Sequence, residues 1–325
     1  MVRPDSGQQR GAAFLAVPTL LIAAAFFLPV ASPSLFGWMQ GLLAVPVFFL
    51  FKTTDDEKQA TLYIRNGLIL AAVGALLVNE LVLLVFAMAM LPLGYSLYRS
   101  AQQSDNPATA GAKGIITLGL SWFVFWSVYG IIAGMSPYAN LLTMLDGSFA
   151  QIIEIYRTSS DLPADVLYKL EQVVTEIREF LPRVLPGLLA GSIILTVWLN
   201  LVIGNNLLLR LRPDKTPWPR YSRWQLPDKL IWLVIAAAVL SLVGSGTIKN
   251  AGYCLVIVSV ILYFFQGMAV FIHLLDRWKV PGYLRIVLYV ILAVQSYGLL
   301  LLAMIGIGDI WIDFRKLAND EKTNN

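Results

Sequence analysis

Eight polar side chains lie within or at the edges of long apolar runs, and chemistry would have to come from them: Glu80, Asn200, Asn205, Asn206, Gln266, His273, Gln295 and Asp309. A polar group at membrane depth is costly unless it is paired, so each one asks for a reason. Gln266, in Tyr263-Phe264-Phe265-Gln266-Gly267, and Gln295 can face one cavity and read the same ligand, with Asn200 a third candidate ligand contact. The competing reading is structural, because an amide can bridge two helices for about 1 kcal/mol. His273, beside Asp276 and Arg277, can shuttle a proton or simply sit solvated at an interface. Asp309 and Asp313 are four apart, so they share a helical face and can hold an ion pair with Arg315 or Lys316.

Two carboxylates do not specify a metal site. Cys254 is the only cysteine and His273 the only histidine, which excludes an internal disulfide and a Cys/His metal cluster within one chain. The sequence has no phosphate-binding loop, no Gly-x-Ser-x-Gly elbow and no His-Glu-x-x-His helix. No catalytic residue, metal or cofactor is therefore expected, and if the protein transports anything it does not hydrolyse nucleotide itself.

The elements that must position these residues are membrane helices. Of 325 residues, 58% are hydrophobic and 14% charged, whereas a soluble domain is about 45–50% apolar and about 25% charged. Apolar runs of spanning length occur near 12–31, 34–51, 114–137, 183–209, 229–247, 251–275 and 283–311. None of them alternates, so a membrane β-barrel is excluded. The apolar region of the N-terminal 31 residues exceeds that of a secretory signal.

Between 67 and 98 the apolar stretch is broken once, by Asn79-Glu80. A single helix would place Glu80 in hydrocarbon, whereas a hairpin places both residues at a turn. The hairpin gives nine helices and the single helix eight. Positive-inside counting favours nine. It places the loop 210–229 in the cytoplasm with Arg210, Arg212, Lys215, Arg220, Arg223 and Lys229, and ten further cations on the same side bring the total to sixteen of 24. The N-terminus is then cytoplasmic and the C-terminus extracytoplasmic, in an all-α, polytopic helical bundle forming one integral membrane domain over 1–325.

The segment 139–182, between helices five and six, is expected outside. Leu167, Leu170, Val174, Ile177 and Leu181 recur at helical spacing with acids between them, Asp161 and Pro163 mark a start, and Pro182 marks an end; a shorter helix over 144–157 precedes it. Its acidic balance argues against anionic lipid as its ligand, leaving a lid, a partner surface or two helices resting on the bundle. The basic loop 210–229 adds Trp218 and Trp224 to Arg220 and Arg223, a combination that can dock a cytoplasmic partner or anionic headgroups, or merely obey topology and anchor at the interface. Residues 317–325 form a polar tail. Partners are thus the bilayer and a membrane or cytoplasmic protein, with a small-molecule ligand open and nucleic acid not expected.

Three motifs in order carry a family likeness: Arg223-Trp224-Gln225-Leu226-Pro227, Phe264-Phe265-Gln266-Gly267, and Gly308-Asp309-Ile310-Trp311-Ile312-Asp313-Phe314-Arg315. Over about residues 11–317 the chain resembles the YybS-like family of bacterial membrane proteins of unknown function. That family is distantly similar to the substrate-capture subunits of energy-coupling-factor vitamin transporters and to the rod-shape subunit MreD. The resemblance implies a bacterial inner-membrane protein. By the same likeness, Ala12 and Ala16 match the Ala-x-x-x-Ala spacing with which capture subunits meet their coupling partner. Two functions follow as expectations: a non-enzymatic, substrate-binding transporter subunit, or a non-catalytic envelope scaffold.

Overall fold

The computed structural model describes residues 6–158, 163–295 and 297–315, with side chains from residue 17 onward except those of 164 and 293. Every regular element among them is helical. The α-helices in chain order are α1 (Ser6–Ala31), α2 (Pro33–Phe36), α3 (Ala44–Thr53), α4 (Glu57–Leu77), α5 (Leu81–Met88), α6 (Leu91–Gln102), α7 (Pro107–Ala133), α8 (Pro137–Thr158), α9 (Ala164–Leu211), α10 (Ile231–Val243), α11 (Gly246–Arg277), α12 (Gly282–Val294) and α13 (Gly298–Ile312). Among the described residues, five helical stretches are long and apolar enough to cross a membrane: 57–77, 81–102, 107–133, 165–211 and 246–277. A sixth counts if 17–31 and 33–42, bent by 112° at their junction, make one broken span.

The expected nine spans are not confirmed among the described residues: two of the apolar runs are broken, and the run 229–247 yields only the 13-residue α10. The run 34–51 divides into α2, a 3-10 turn over Gly37–Leu42 and α3. The run 283–311 divides into α12 and α13, with Gln295 leaving helical geometry at φ −71°, ψ 119°. The turn at Asn79-Glu80 does form. Asn79 takes the left-handed conformation (φ 57°) and joins α4 to α5, leaving Glu80 exposed at the start of α5.

The segment 139–182 departs from expectation in two respects. Pro182 does not end its helix; Pro182 and Pro186 both lie inside α9, which runs unbroken for 48 residues. A mid-helix proline costs about 3 kcal/mol in isolation, but packing just beyond it fixes the backbone. Val184 and Leu185 are buried, and a Cβ on Gly187 would lie 2.7 Å from Cys254 Cα. The preceding helix is also longer than 144–157, extending over Pro137–Thr158. Asp161 lies outside the described residues.

The chain packs as two compact units, one of residues 1–122 with 193–225 and the other of 123–192 with 226–325. In the first, α4 lies on α1 through Gly67, whose Cβ would meet Ile22 and Thr19 O at 2.8 Å, and α6 lies on α3 through Gly94 against Val47. In the second, α11 is the central helix. It packs on α10 near Gly252 and, antiparallel, on α13.

Candidate functional site: three motifs close on a buried ion pair

The polar core of the second unit is built from three segments far apart in sequence. Gln266, buried on α11, accepts the Leu226 backbone N–H at Oε1 (3.0 Å) and donates from Nε2 to Asp309 Oδ2 on α13 (2.7 Å). The same oxygen accepts Arg315 Nη2 at 2.7 Å, and the exposures of the Arg315 and Asp309 side chains are 0% and 1%. Asp313 caps α13 in the left-handed conformation, φ 45° and ψ 61°, and this reversal returns Arg315 to Asp309. The three sequence motifs thus meet at one hydrogen-bonded cluster.

Two glycines permit the meeting. A Cβ on Gly267 would stand 1.7 Å from Leu302 O, and one on Gly306 would stand 2.1 Å from Tyr263 O. No other residue type lets α11 and α13 approach so closely. The arrangement is suited to holding structure: the guanidinium charge is permanent and the carboxylate beside it balances that charge in a site closed to bulk solvent. Asp309 Oδ1 and Tyr263 Oη are buried and make no hydrogen bond among the described residues.

The other expected ligand contacts are not brought here. Gln295 is exposed at the break between α12 and α13 and does not share a cavity with Gln266, whose two polar atoms are engaged. Asn200, in the first unit, is fully buried and donates to Gly41 O (2.6 Å) and Thr196 O (2.8 Å), tying α9 to the turn before α3. Asn205 donates to Trp218 O and Pro219 O, both at 3.1 Å, while Asn206 is exposed. His273 is half-buried on α11.

The basic loop is folded, and its aromatic residues are not displayed. Trp218 stacks on Phe48 at 5.7 Å and donates from Nε1 to Asp105 O at 2.8 Å. Trp224 packs edge-on to Tyr221 and donates from Nε1 to Pro219 O at 2.9 Å. Both tryptophans are buried within the chain, whereas Arg220 and Arg223, expected beside them at a partner surface, are exposed. Ala12 and Ala16 fall on α1, but their side chains lie outside the described residues. Lys215 fastens the loop by donating to Asp55 Oδ1 (2.6 Å) and Thr53 O (3.0 Å). That hydrogen bond and charge hold the Asp55 carboxyl below its ordinary range, as Lys113 does for Asp105.

Sequence reasoning named Gln266, Asp309 and Arg315 but not Tyr263 or Gly306. The only available signal for Gly306 was its place in Met304-Ile305-Gly306-Ile307-Gly308, small residues in an apolar run.

The family described as "predicted membrane protein (DUF2232)" matches residues 15–310, a span that takes in all of the first two motifs and the start of the third. The chain belongs to that family. It is a multi-pass membrane protein of a family without an assigned activity. No curated protein and no solved structure matches it.

Proposed function

We propose that this DUF2232 protein is a non-catalytic assembly protein of a bacterial inner membrane. The basic loop lies in the cytoplasm with the N-terminus, and the α8–α9 hairpin projects on the other side as the surface that recruits a partner. One observation carries the reading: α8 has no buried residue along its 22 residues. Met144, Ile155 and Tyr168 are 62%, 55% and 69% exposed, yet the hairpin is held as a unit by ion pairs from Arg178 to Asp146 and from Arg157 to Glu171. An apolar face on a braced hairpin fits a protein contact.

The transporter-subunit reading loses its proposed ligand contacts, since Gln266 and Asn200 are engaged internally and Gln295 is exposed elsewhere. The unpartnered Asp309 Oδ1 and Tyr263 Oη are what still favour a polar guest. Both readings are tested by purifying the tagged protein from native membranes in mild detergent and identifying proteins and small molecules by mass spectrometry. The expected result is a protein partner that binds the wild type and is lost from an Ile155→Glu/Tyr168→Glu variant of unchanged elution volume. A stoichiometric small molecule with no hairpin-dependent protein would overturn the proposal in favour of a capture subunit.

A further inference from the structure

The first unit contains a groove that the assembly role does not use. It lies between α3, α4 and α6 and has a volume of about 390 Å³. Val47 and Phe51 of α3, Ile64 of α4 and Leu91 of α6 give it apolar walls. At one end Glu57 and Tyr95 supply polar atoms, with Tyr95 Oη donating to Glu57 Oε1 at 3.1 Å.

The depth of that polar end follows from the sequence around it. Asp55, Asp56, Glu57 and Lys58 are four ionisable residues in a row, and such a run belongs in water or among headgroups. Glu57 opens α4, whose residues 57–77 are apolar enough to span. From Glu57 to Ile64 is two helical turns, about 10 Å at 1.5 Å per residue. The groove therefore begins at headgroup level and descends through about two-thirds of one leaflet of a hydrocarbon core about 30 Å thick. Thr61, Pro92 and Tyr95, which also line it, are exposed, so an occupant can enter past them.

We propose that this groove binds one acyl chain of an aminophospholipid, with the primary ammonium of the headgroup donating to Glu57. The apolar walls disfavour polar guests and match the upper part of an acyl chain in chemistry. The carboxylate and the phenol oxygen at the mouth are acceptors, which suit a headgroup bearing N–H donors and favour it over a quaternary ammonium or an anionic glycerol headgroup. Lys52, in the last turn of α3, and Lys58, next to Glu57 in the chain, are the cations available to the lipid phosphate at that end. An aminophospholipid is then the bilayer component whose two charges both find counterparts.

The test uses the full-length protein in nanodiscs made separately with phosphatidylethanolamine, phosphatidylcholine or phosphatidylglycerol carrying a photoreactive group on one chain. Labelled peptides are mapped by mass spectrometry. The wild type should label within 47–64 and 91–95 and prefer the ethanolamine lipid by about threefold, the scale of one exposed charge pair. Thr61→Trp, which fills the groove, should lower labelling there severalfold, and Glu57→Gln should abolish the headgroup preference while leaving chain labelling in place. Labelling equal for all three lipids in the wild type, or unaffected by Thr61→Trp, overturns the proposal. Circular dichroism and elution volume identify a misfolded Thr61→Trp variant; Leu91→Phe, a milder filling change, then serves as the groove-blocking test.

Discussion

Replacing Asp309 by Asn keeps the shape of the side chain, and one oxygen to accept from Gln266, but removes the charge that balances Arg315. The guanidinium cannot lose its proton, and with side-chain exposures of 0% for Arg315 and 1% for Asp309 bulk solvent does not reach it. Breaking one partner of a buried pair costs about 3–5 kcal/mol, a change of about 150- to 5,000-fold in the folded ratio. The loss should be read by denaturant unfolding in detergent micelles, with the midpoint compared at fixed detergent concentration. The second arm is the double variant Asp309→Leu/Arg315→Met. Removing both charges leaves no uncompensated ion, so it should recover most of the loss, as apolar replacement of buried pairs does elsewhere. An Asp309→Asn cost below about 1 kcal/mol, or a double variant less stable than Asp309→Asn, would refute the view that the cluster is a charge-balanced clamp.

Gly267→Ala or Gly306→Ala forces a Cβ into backbone oxygen and should destabilise by at least the 1–3 kcal/mol typical of overpacking, measured as a drop in Tm, while Gly111→Ala, with open space at its Cβ position, serves as the tolerated control. Trp218→Phe loses the bond to Asp105 O and part of the stack on Phe48, and should cost about 1–3 kcal/mol and speed protease cleavage within 212–230. The loop's pH response follows from the carboxyls of Asp55 and Asp105, whose folded pKa values lie below their unfolded ones. Their contribution is fully present above the ordinary Asp range near 3.9 and is lost as pH falls through the lower folded values. Hydrogen exchange in 52–57 and 212–218, corrected for intrinsic rate, should be flat from pH 8 to 5 and rise only in acid. Asp55→Asn should show the raised exchange already at neutral pH.

The sequence alone determined that this chain lives in a bilayer, that its elements are helices, and where it must turn at Asn79-Glu80. Each conclusion rests on a local quantity: run length, the absence of alternation, and the cost of a carboxylate in hydrocarbon. It also singled out Gln266, Asp309 and Arg315, because polar groups stand out in apolar runs. Tertiary structure decided what they do. Gln266 reads the same in sequence whether it faces a ligand or a neighbouring helix, and only the approach of α13, allowed by Gly267 and Gly306, commits its amide to Asp309. Gln295 also stands in an apolar run, yet the chain breaks there and leaves it exposed. Pro182 carries a local stop signal that packing at Val184 to Gly187 overrides. Trp218 and Trp224, beside surface cations, look like partner contacts until the fold of the loop against Phe48 and Asn205 buries them. Propensity and hydropathy act over a few residues, whereas the pairing of polar groups and the burial of aromatic rings depend on contacts among segments far apart in the chain.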